Sequence, residues 1–266
     1  MNKITITHLK KMKQKGEKFS CLTAYDASFA LAQEQAGVEL ILVGDSLGMV
    51  VKGQPSTLSV SMDEMVYHTA NVSRVCHQSL IMADLPFAAD ITKEQAYANS
   101  ARLVSEGGAQ MVKIEGGAAM LDSVQFLAQR GVAVCSHLGL LPQSVYKTGG
   151  YRVQGRSEQE AEQILNDALS LEQAGADIIL LECVPAELAR RISKSLAVPV
   201  IGIGAGADCD AQVLVCYDML GLTPNNTPAS FVKNFLIDAG SIQNAFKAYV
   251  EQVKDGQFPG PEHCFK

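Results

Sequence analysis

The chain has 266 residues, 47% of them hydrophobic, with 22 basic against 28 acidic residues and a net charge of -6. That length buries a large core, and α/β barrels of this size are commonly one domain, so a single domain over residues 1–266 is expected. The acidic balance without a basic stripe argues against nucleic acid as a partner, and no apolar run approaches the roughly 18 residues of a membrane helix.

The seven cysteines (Cys21, Cys76, Cys135, Cys183, Cys209, Cys216 and Cys264) are odd in number, scattered and without a C-x-x-C pair. That pattern points to reduced thiols in a cytosolic protein and away from a structural zinc site. Residues 1–18 carry lysines but no apolar centre of a secretory signal, so a cytoplasmic location is expected.

Residues 6–15 are predicted to form a short basic helix ahead of the first strand. Residues 19–24 read as strand one, closing at Tyr25-Asp26, and the next helix stops at Gly37, since glycine accepts the positive φ of a helix end. Ile41-Leu42-Val43-Gly44-Asp45-Ser46 is an apolar run too short for a helix that ends in a carboxylate and a hydroxyl. Such a run between breakers predicts a strand buried on both faces, as in parallel sheets. A long loop over residues 48–60 follows, and Ser61-Met62-Asp63-Glu64 is a capping-box start for the next helix. Strand three ends at Asp84, Thr92 starts a helix that Gly107-Gly108 ends, and strand four ends at Glu115. A helix over 118–130 leads to strand five, residues 132–136, ending at His137, and then to a polar, glycine-rich insertion over 139–156. Ser157 caps a further helix, strand six ends at Glu182, and Pro185 suits a first helical turn. Strand seven (198–203) runs into Gly204-Ala205-Gly206, strand eight covers 212–216, and helices from about Pro228 precede a frayed tail after Gly256. A βα unit counted eight times predicts a closed (βα)8 TIM barrel with a short N-terminal helix and a C-terminal helical extension, in preference to a doubly wound open sheet. The active site of such a barrel lies at the carboxyl ends of its strands.

Four of those ends carry an acid: Asp45, Asp84, Glu115 and Glu182. Converging carboxylates repel unless a cation or proton sits among them, and oxygen donors without paired histidines or cysteines point to a hard ion, most naturally Mg2+. Asp45 and Asp84 are the expected direct ligands, with Glu115 either a third or the holder of a metal-bound water. A strand-end acid is also a common helix cap, and that reading is preferred for Asp26 and Asp218. Lys113 lies two residues before Glu115 and so points to the same side; it pairs with these acids or stabilises negative charge on a substrate, with a Schiff base ranked second. His137 suits an oxyanion partner or a half-buried structural residue, while His8, His68, His77 and His263 read as surface side chains. Gly202-Ile203-Gly204-Ala205-Gly206-Ala207 matches a dinucleotide pattern only formally, because it falls on strand seven; its backbone amides suit a carboxylate or phosphate instead.

Several motifs, in order, carry a resemblance over nearly the whole chain: Val43-Gly44-Asp45-Ser46-Leu47-Gly48, Ala83-Asp84-Leu85-Pro86-Phe87, Val112-Lys113-Ile114-Glu115-Gly116-Gly117, His137-Leu138-Gly139-Leu140, Gly149-Gly150-Tyr151-Arg152-Val153-Gln154-Gly155-Arg156 and Leu181-Glu182-Cys183-Val184-Pro185. The chain resembles the ketopantoate hydroxymethyltransferase family. The resemblance implies transfer of a one-carbon unit from 5,10-methylenetetrahydrofolate to 3-methyl-2-oxobutanoate through a Mg2+-stabilised enolate, giving 2-dehydropantoate at the first committed step of pantothenate synthesis. It further implies Asp45, Asp84 and Glu115 around the metal; Asp45, Ser46, Asp84, Lys113 and His137 at the substrate; Glu182 as the base; and a homo-oligomer, often a decamer. The family is similar to barrels that form pyruvate enolates on Mg2+, so a folate-independent lyase or mutase is the runner-up, and a catalytically dead binding barrel the third reading.

Overall fold

The computed structural model describes residues 3–223 and 228–266. Its elements in chain order are α1 (Ile6–Lys15), β1 (Phe19–Thr23), α2 (Ala27–Ala36), β2 (Leu40–Val43), α3 (Leu47–Val50), α4 (Met62–Ser73), β3 (Leu80–Asp84), α5 (Lys93–Ser105), β4 (Met111–Glu115), α6 (Leu121–Ala128), β5 (Val134–Gly139), α7 (Val145–Thr148), α8 (Glu158–Ala174), β6 (Ile178–Glu182), α9 (Ala186–Ser195), β7 (Val200–Ile203), β8 (Ala211–Leu214), α10 (Cys216–Met219), α11 (Leu236–Ala239) and α12 (Ile242–Lys254). The eight strands pair in sequence order, all parallel, and β8 returns to β1 to close the barrel.

Local chemistry starts the helices where the sequence predicts. The Thr5, Asp26, Ser61, Thr92 and Ser157 side chains each accept a backbone N–H in the first turn of the following helix. Ser61 and Glu64 complete a reciprocal capping box. Gly16, Gly37 and Gly175 end their helices in the left-handed region.

The strands are buried on both faces, so alternate residues serve two cores. Leu22, Ile41, Val43, Ile81, Val112 and Ile179 face the helices. Leu40, Leu42, Leu80, Met82, Met111, Cys135, Ile178 and Leu180 fill the barrel, which Leu9 and Met12 of α1 plug from the amino-terminal end. Lys10 and Lys13 pin that helix by ion pairs to Asp177 (2.7 Å) and Asp210 (2.6 Å).

Several boundaries differ from the sequence-based expectation. β5 runs to Gly139, so His137 sits within the strand rather than at its end. Strand eight stops at Leu214, and Cys216 opens α10, its N–H donated to Thr23 Oγ1 at 2.9 Å. Residues 118–120 form a 3-10 turn ahead of α6, and the 48–60 loop opens on the short helix α3. The tail is not frayed: Phe258 is buried, and Phe265 accepts the Ala186 N–H at 3.0 Å. Apolar side chains hold the tail where fraying after Gly256 is expected from the sequence. His68 and His263 are half-buried, with His68 Nδ1 2.6 Å from the Tyr25 carbonyl. All seven cysteines are free thiols, and among the described residues no helix is long and apolar enough to cross a membrane.

α12 packs on α2 and β1 and covers the seam where the barrel closes. The Tyr249 hydroxyl lies within hydrogen-bond reach of the Cys21 carbonyl on β1 (2.9 Å) and the Gln212 carbonyl on β8 (2.8 Å). Glu39, which accepts the Ser20 N–H and hydroxyl, also pairs with Lys254. Tyr249→Phe keeps the ring packing and strands buried carbonyls, so it is expected to lower stability by about 1–3 kcal/mol. Tyr249→Ala is expected to cost about 3–5 kcal/mol. Urea unfolding followed by circular dichroism checks both the size and the order of the two effects.

Candidate active site

The period of two along each strand assembles the polar cluster. Leu80 and Met82 point into the barrel, so Asp84 continues that face; Met111 is followed in the same way by Lys113 and Glu115, Cys135 by His137, and Leu180 by Glu182. Strand register then sets neighbours side by side, with Asp84 opposite Lys113, Glu115 opposite His137, and Glu182 opposite Gly139. Asp45 lies just beyond β2, and its backbone N–H donates to Asp84 Oδ2 at 3.0 Å. Every site residue singled out from the sequence (Asp45, Ser46, Asp84, Lys113, Glu115, His137 and Glu182) lines one cavity of about 610 Å3.

Lys113 is the hub. Its ammonium is 3.3 Å from Asp84 Oδ1, 3.6 Å from Glu115 Oε1 and 3.3 Å from His137 Nδ1, and the residue is 4% exposed. Burial alone would lower the lysine pKa, but Asp84, Glu115 and Asp45 outweigh it and raise it, so the side chain is cationic. Glu115 is pulled down by the hydrogen bond from His137 and by the charge of Lys113, against the upward push of burial. Burial, then the charges of Asp84 and Glu115, drive Asp45 well upward. Burial also raises Asp84 despite the charge of Lys113. His137 bridges two carboxylates, Nδ1 lying 3.3 Å from Glu115 Oε1 and Nε2 3.2 Å from Glu182 Oε2. Burial and Lys113 lower its pKa, and these two carboxylates overcome both to raise it. Glu182 is the most open of the four strand-end acids, its side chain 16% exposed.

The structure adds residues that sequence reading missed. Gln143, in the 3-10 turn Pro142–Ser144 of the insertion, donates from Nε2 to Asp45 Oδ2 (2.9 Å) and to the Leu85 carbonyl (3.0 Å). Its backbone N–H donates to Glu115 Oε2 at 3.1 Å. Nothing in a lone glutamine announces this role; the only signal is its place in an insertion that had to cover the mouth. Tyr25 is also absent from the sequence-based set, yet its hydroxyl is 2.9 Å from Ser46 Oγ. Gly139 has φ +91, and a Cβ there would sit 2.2 Å from the Glu182 carbonyl oxygen, so only glycine lets β5 pass this close to β6. Cys183, directly after Glu182, adopts φ +48, an uncommon strain for a non-glycine residue that turns the chain away at the rim.

Asp26 is a helix cap as expected, accepting the Phe29 N–H at 3.0 Å. Asp218 does fall in the first turn of α10, but it lines the cavity as well. At the Gly204 loop a Cβ would meet the rings of Phe231 and Phe265 at 2.9 and 3.0 Å, so that side of the loop serves aromatic packing.

The residues present fit a hard divalent cation. Asp84 Oδ1 is buried without a hydrogen-bond partner and faces the Lys113 ammonium at 3.3 Å, and the buried Glu115 Oε1 faces Lys113 at 3.6 Å and His137 Nδ1 at 3.3 Å. Among the described residues no group of three or more His, Cys, Asp or Glu side chains is disposed to hold a metal ion. A cation here would therefore lean on a pair of carboxylates and on oxygens from outside the protein, which is how Mg2+ is usually held.

A family model described as ketopantoate hydroxymethyltransferase matches residues 3–261. Proteins named 3-methyl-2-oxobutanoate hydroxymethyltransferase are similar along their whole length: one from Nitrosococcus oceani is 57% identical, covering 97% of this chain and 98% of that protein. One from Pseudomonas fluorescens is also 57% identical, covering 100% and 99%. Among solved structures, a phosphonopyruvate hydrolase in complex with oxalate and Mg2+ superposes with a TM-score of 0.62 at 15% identity over 81% of each chain. A 2,3-dimethylmalate lyase of the PEP mutase/isocitrate lyase superfamily gives a TM-score of 0.57 at 18% identity, over 79% of this chain and 80% of that one. At such low identity these two establish the barrel fold alone. With the family model spanning almost the entire sequence and relatives above half identity at full length, the chain belongs to the ketopantoate hydroxymethyltransferase family.

Proposed function

We propose that the chain transfers a hydroxymethyl group from 5,10-methylenetetrahydrofolate to 3-methyl-2-oxobutanoate, giving 2-dehydropantoate. The names of its full-length relatives support the reaction. The observation that carries the residue roles is the position of Glu182: it faces the cavity across from the buried Lys113 group and touches that group through His137. Glu182 takes the proton from C3 of the keto acid, a weak carbon acid that needs a placed base. Lys113 and His137 offset the negative charge that develops on the keto oxygen, and both are held in place before the reaction, so no reorganisation is needed. Ser46, steadied by Tyr25, contacts the same substrate with Asp45 and Asp84. Asp45 and Asp84, with Glu115 beside them, would hold Mg2+, which when bound supplies Lewis-acid polarisation of the keto oxygen. The C3 electron pair then forms a bond to the donor's methylene carbon, both C–N bonds of that carbon to the folate break, water supplies the hydroxyl, and the two protons released, one from C3 and one from water, go to the freed nitrogens of the departing tetrahydrofolate. The same reading makes this the first committed step of pantothenate synthesis, in the cytoplasm, run by a homo-oligomer that family resemblance puts at ten subunits.

Proton exchange separates the base from the transfer step. With Mg2+ and no folate, the C3 proton of 3-methyl-2-oxobutanoate is expected to exchange for deuterium, as followed by NMR. Glu182→Gln is expected to slow that exchange at least about a hundredfold while the keto acid still binds. A wild-type protein that exchanges nothing would defeat both the base and the reaction.

Removing divalent ions with EDTA is expected to abolish the exchange, and added Mg2+ to restore it. Calorimetric titration should show Mg2+ binding to the wild type in the presence of the keto acid and none to Asp84→Ala. Undiminished exchange in chelator, or equal Mg2+ binding by both proteins, would remove the metal from this reading.

A further inference from the structure

The cavity is much larger than a five-carbon acid requires; about 610 Å3 lies in the roughly 300–1,000 Å3 range of sites for drug-sized ligands. Its two halves differ in chemistry. The ends of β2 to β6 supply the acids, Lys113 and His137, whereas β7, β8 and the C-terminal segment supply Ile203, Val213, Val215, Phe231 and Phe265. Among the described residues that line the cavity, Asp218 is the one carboxylate outside the acid cluster. No described residue offers it a hydrogen bond or an ion pair, and burial by itself lifts its carboxyl to about 6. A half-buried carboxylate with no partner is costly, and a ligand that brings N–H donors removes that cost.

We propose that Asp218 receives the 2-amino-4-oxopyrimidine edge of the reduced pterin of the one-carbon donor, with the Phe231 side of the cavity against the ring. This inference rests on the folate-donor reading above. The pyrimidine edge presents an amino N–H beside a ring N–H, and a carboxylate accepts such a pair through its two oxygens. On the β7 side the cavity wall is apolar, because Gly204 lets Phe231 and Phe265 pack against the β7 turn, their ring centres 6.3 Å apart and edge-on. The site adjoins the reacting end through Tyr25, which feels the charge of Asp218 and bonds to Ser46. A ring anchored at Asp218 thus lies in the same chamber as the keto acid rather than in a separate pocket. The other acids cannot take this role, since His137, Lys113 and Gln143 already occupy them.

The test compares two ligands on three proteins. Tetrahydrofolate and its 2-desamino analogue are titrated calorimetrically, with Mg2+ present, against the full chain as wild type, Asp218→Asn and Asp218→Ala. The wild type is expected to prefer tetrahydrofolate by about ten- to a hundredfold, the scale of a charge-assisted hydrogen bond. Asp218→Ala should bring that ratio close to one, and Asp218→Asn, which keeps the shape, should narrow it. Because each ratio is internal to one protein, a general loss of packing does not imitate the effect. A wild type that binds tetrahydrofolate without preferring it, or a preference that survives both substitutions, overturns the assignment and leaves the donor reading standing. A wild type that exchanges the C3 proton yet binds no tetrahydrofolate overturns the donor reading, and this assignment with it.

Discussion

The structure turns on a buried lysine. Lys113 sits on β4 with its ammonium among Asp84, Glu115 and His137, in a place where an unpaired charge of either sign would be prohibitively costly. The acids hold the lysine charged, and the lysine lets several acids share one barrel mouth. Taking away one member of such a buried set typically costs about 3–5 kcal/mol, because the rest remain in low dielectric without compensation. The arrangement also leaves a residue of negative charge: four strand-end carboxylates face one lysine and one imidazole. Crowding of this kind is poor for stability alone and makes sense where a cation or an electron-poor substrate completes the set.

Geometry, more than composition, separates the roles of chemically similar acids. Glu115 is engaged from three directions, by Lys113, His137 and the Gln143 amide, and is held low and ionised. Asp45 and Asp84 are linked through one backbone N–H; Asp84 keeps Oδ1 buried without a hydrogen bond, and Asp45 Oδ2 accepts from Gln143. Glu182 reaches furthest into the open cavity and touches the others only through His137. That separation depends on the backbone at the rim. Gly139 lets β5 run against the Glu182 carbonyl, which accepts the Leu140 N–H at 2.8 Å, and Cys183 takes a left-handed turn immediately afterwards. A side chain at position 139 would push β5 and β6 apart and carry His137 away from Glu182.

Much of this was legible in the sequence, for identifiable reasons. Short apolar runs ending in acids announce strands with polar tips, and the two-residue period puts Lys113 on the same side as Glu115. Caps such as Ser61 and Asp26 were legible because their hydrogen bonds are local in sequence. Gln143 and Tyr25 were not, because their partners lie far along the chain: Asp45 is 98 residues from Gln143, and Ser46 is 21 residues from Tyr25. The end of strand eight was misplaced since Val215 and Cys216 continue the apolar run, whereas Thr23 on the neighbouring strand bonds the Cys216 N–H and turns it into a helix start. Asp218 was read as a first-turn acid, which it is; its second role as a cavity wall depends on where α10 lands.

The tail shows how a fold-closing segment also becomes part of a binding site. α12 seals the β8–β1 seam through Tyr249 and is tied to the start of β2 by the Glu39–Lys254 pair, while Phe235 packs edge-on and Phe258 tilted against the Tyr249 ring. That anchorage fixes the direction in which the last residues leave, so that Phe265 returns over the β7 turn and its carbonyl accepts the N–H at the start of α9. The barrel strands alone would offer an acidic mouth open to water on one side. With Phe231 and Phe265 in place, the same mouth becomes a chamber with an apolar wall facing the charged one. A chain that closes its barrel with its own C-terminal helix thus obtains the second wall from the segment that provides its stability.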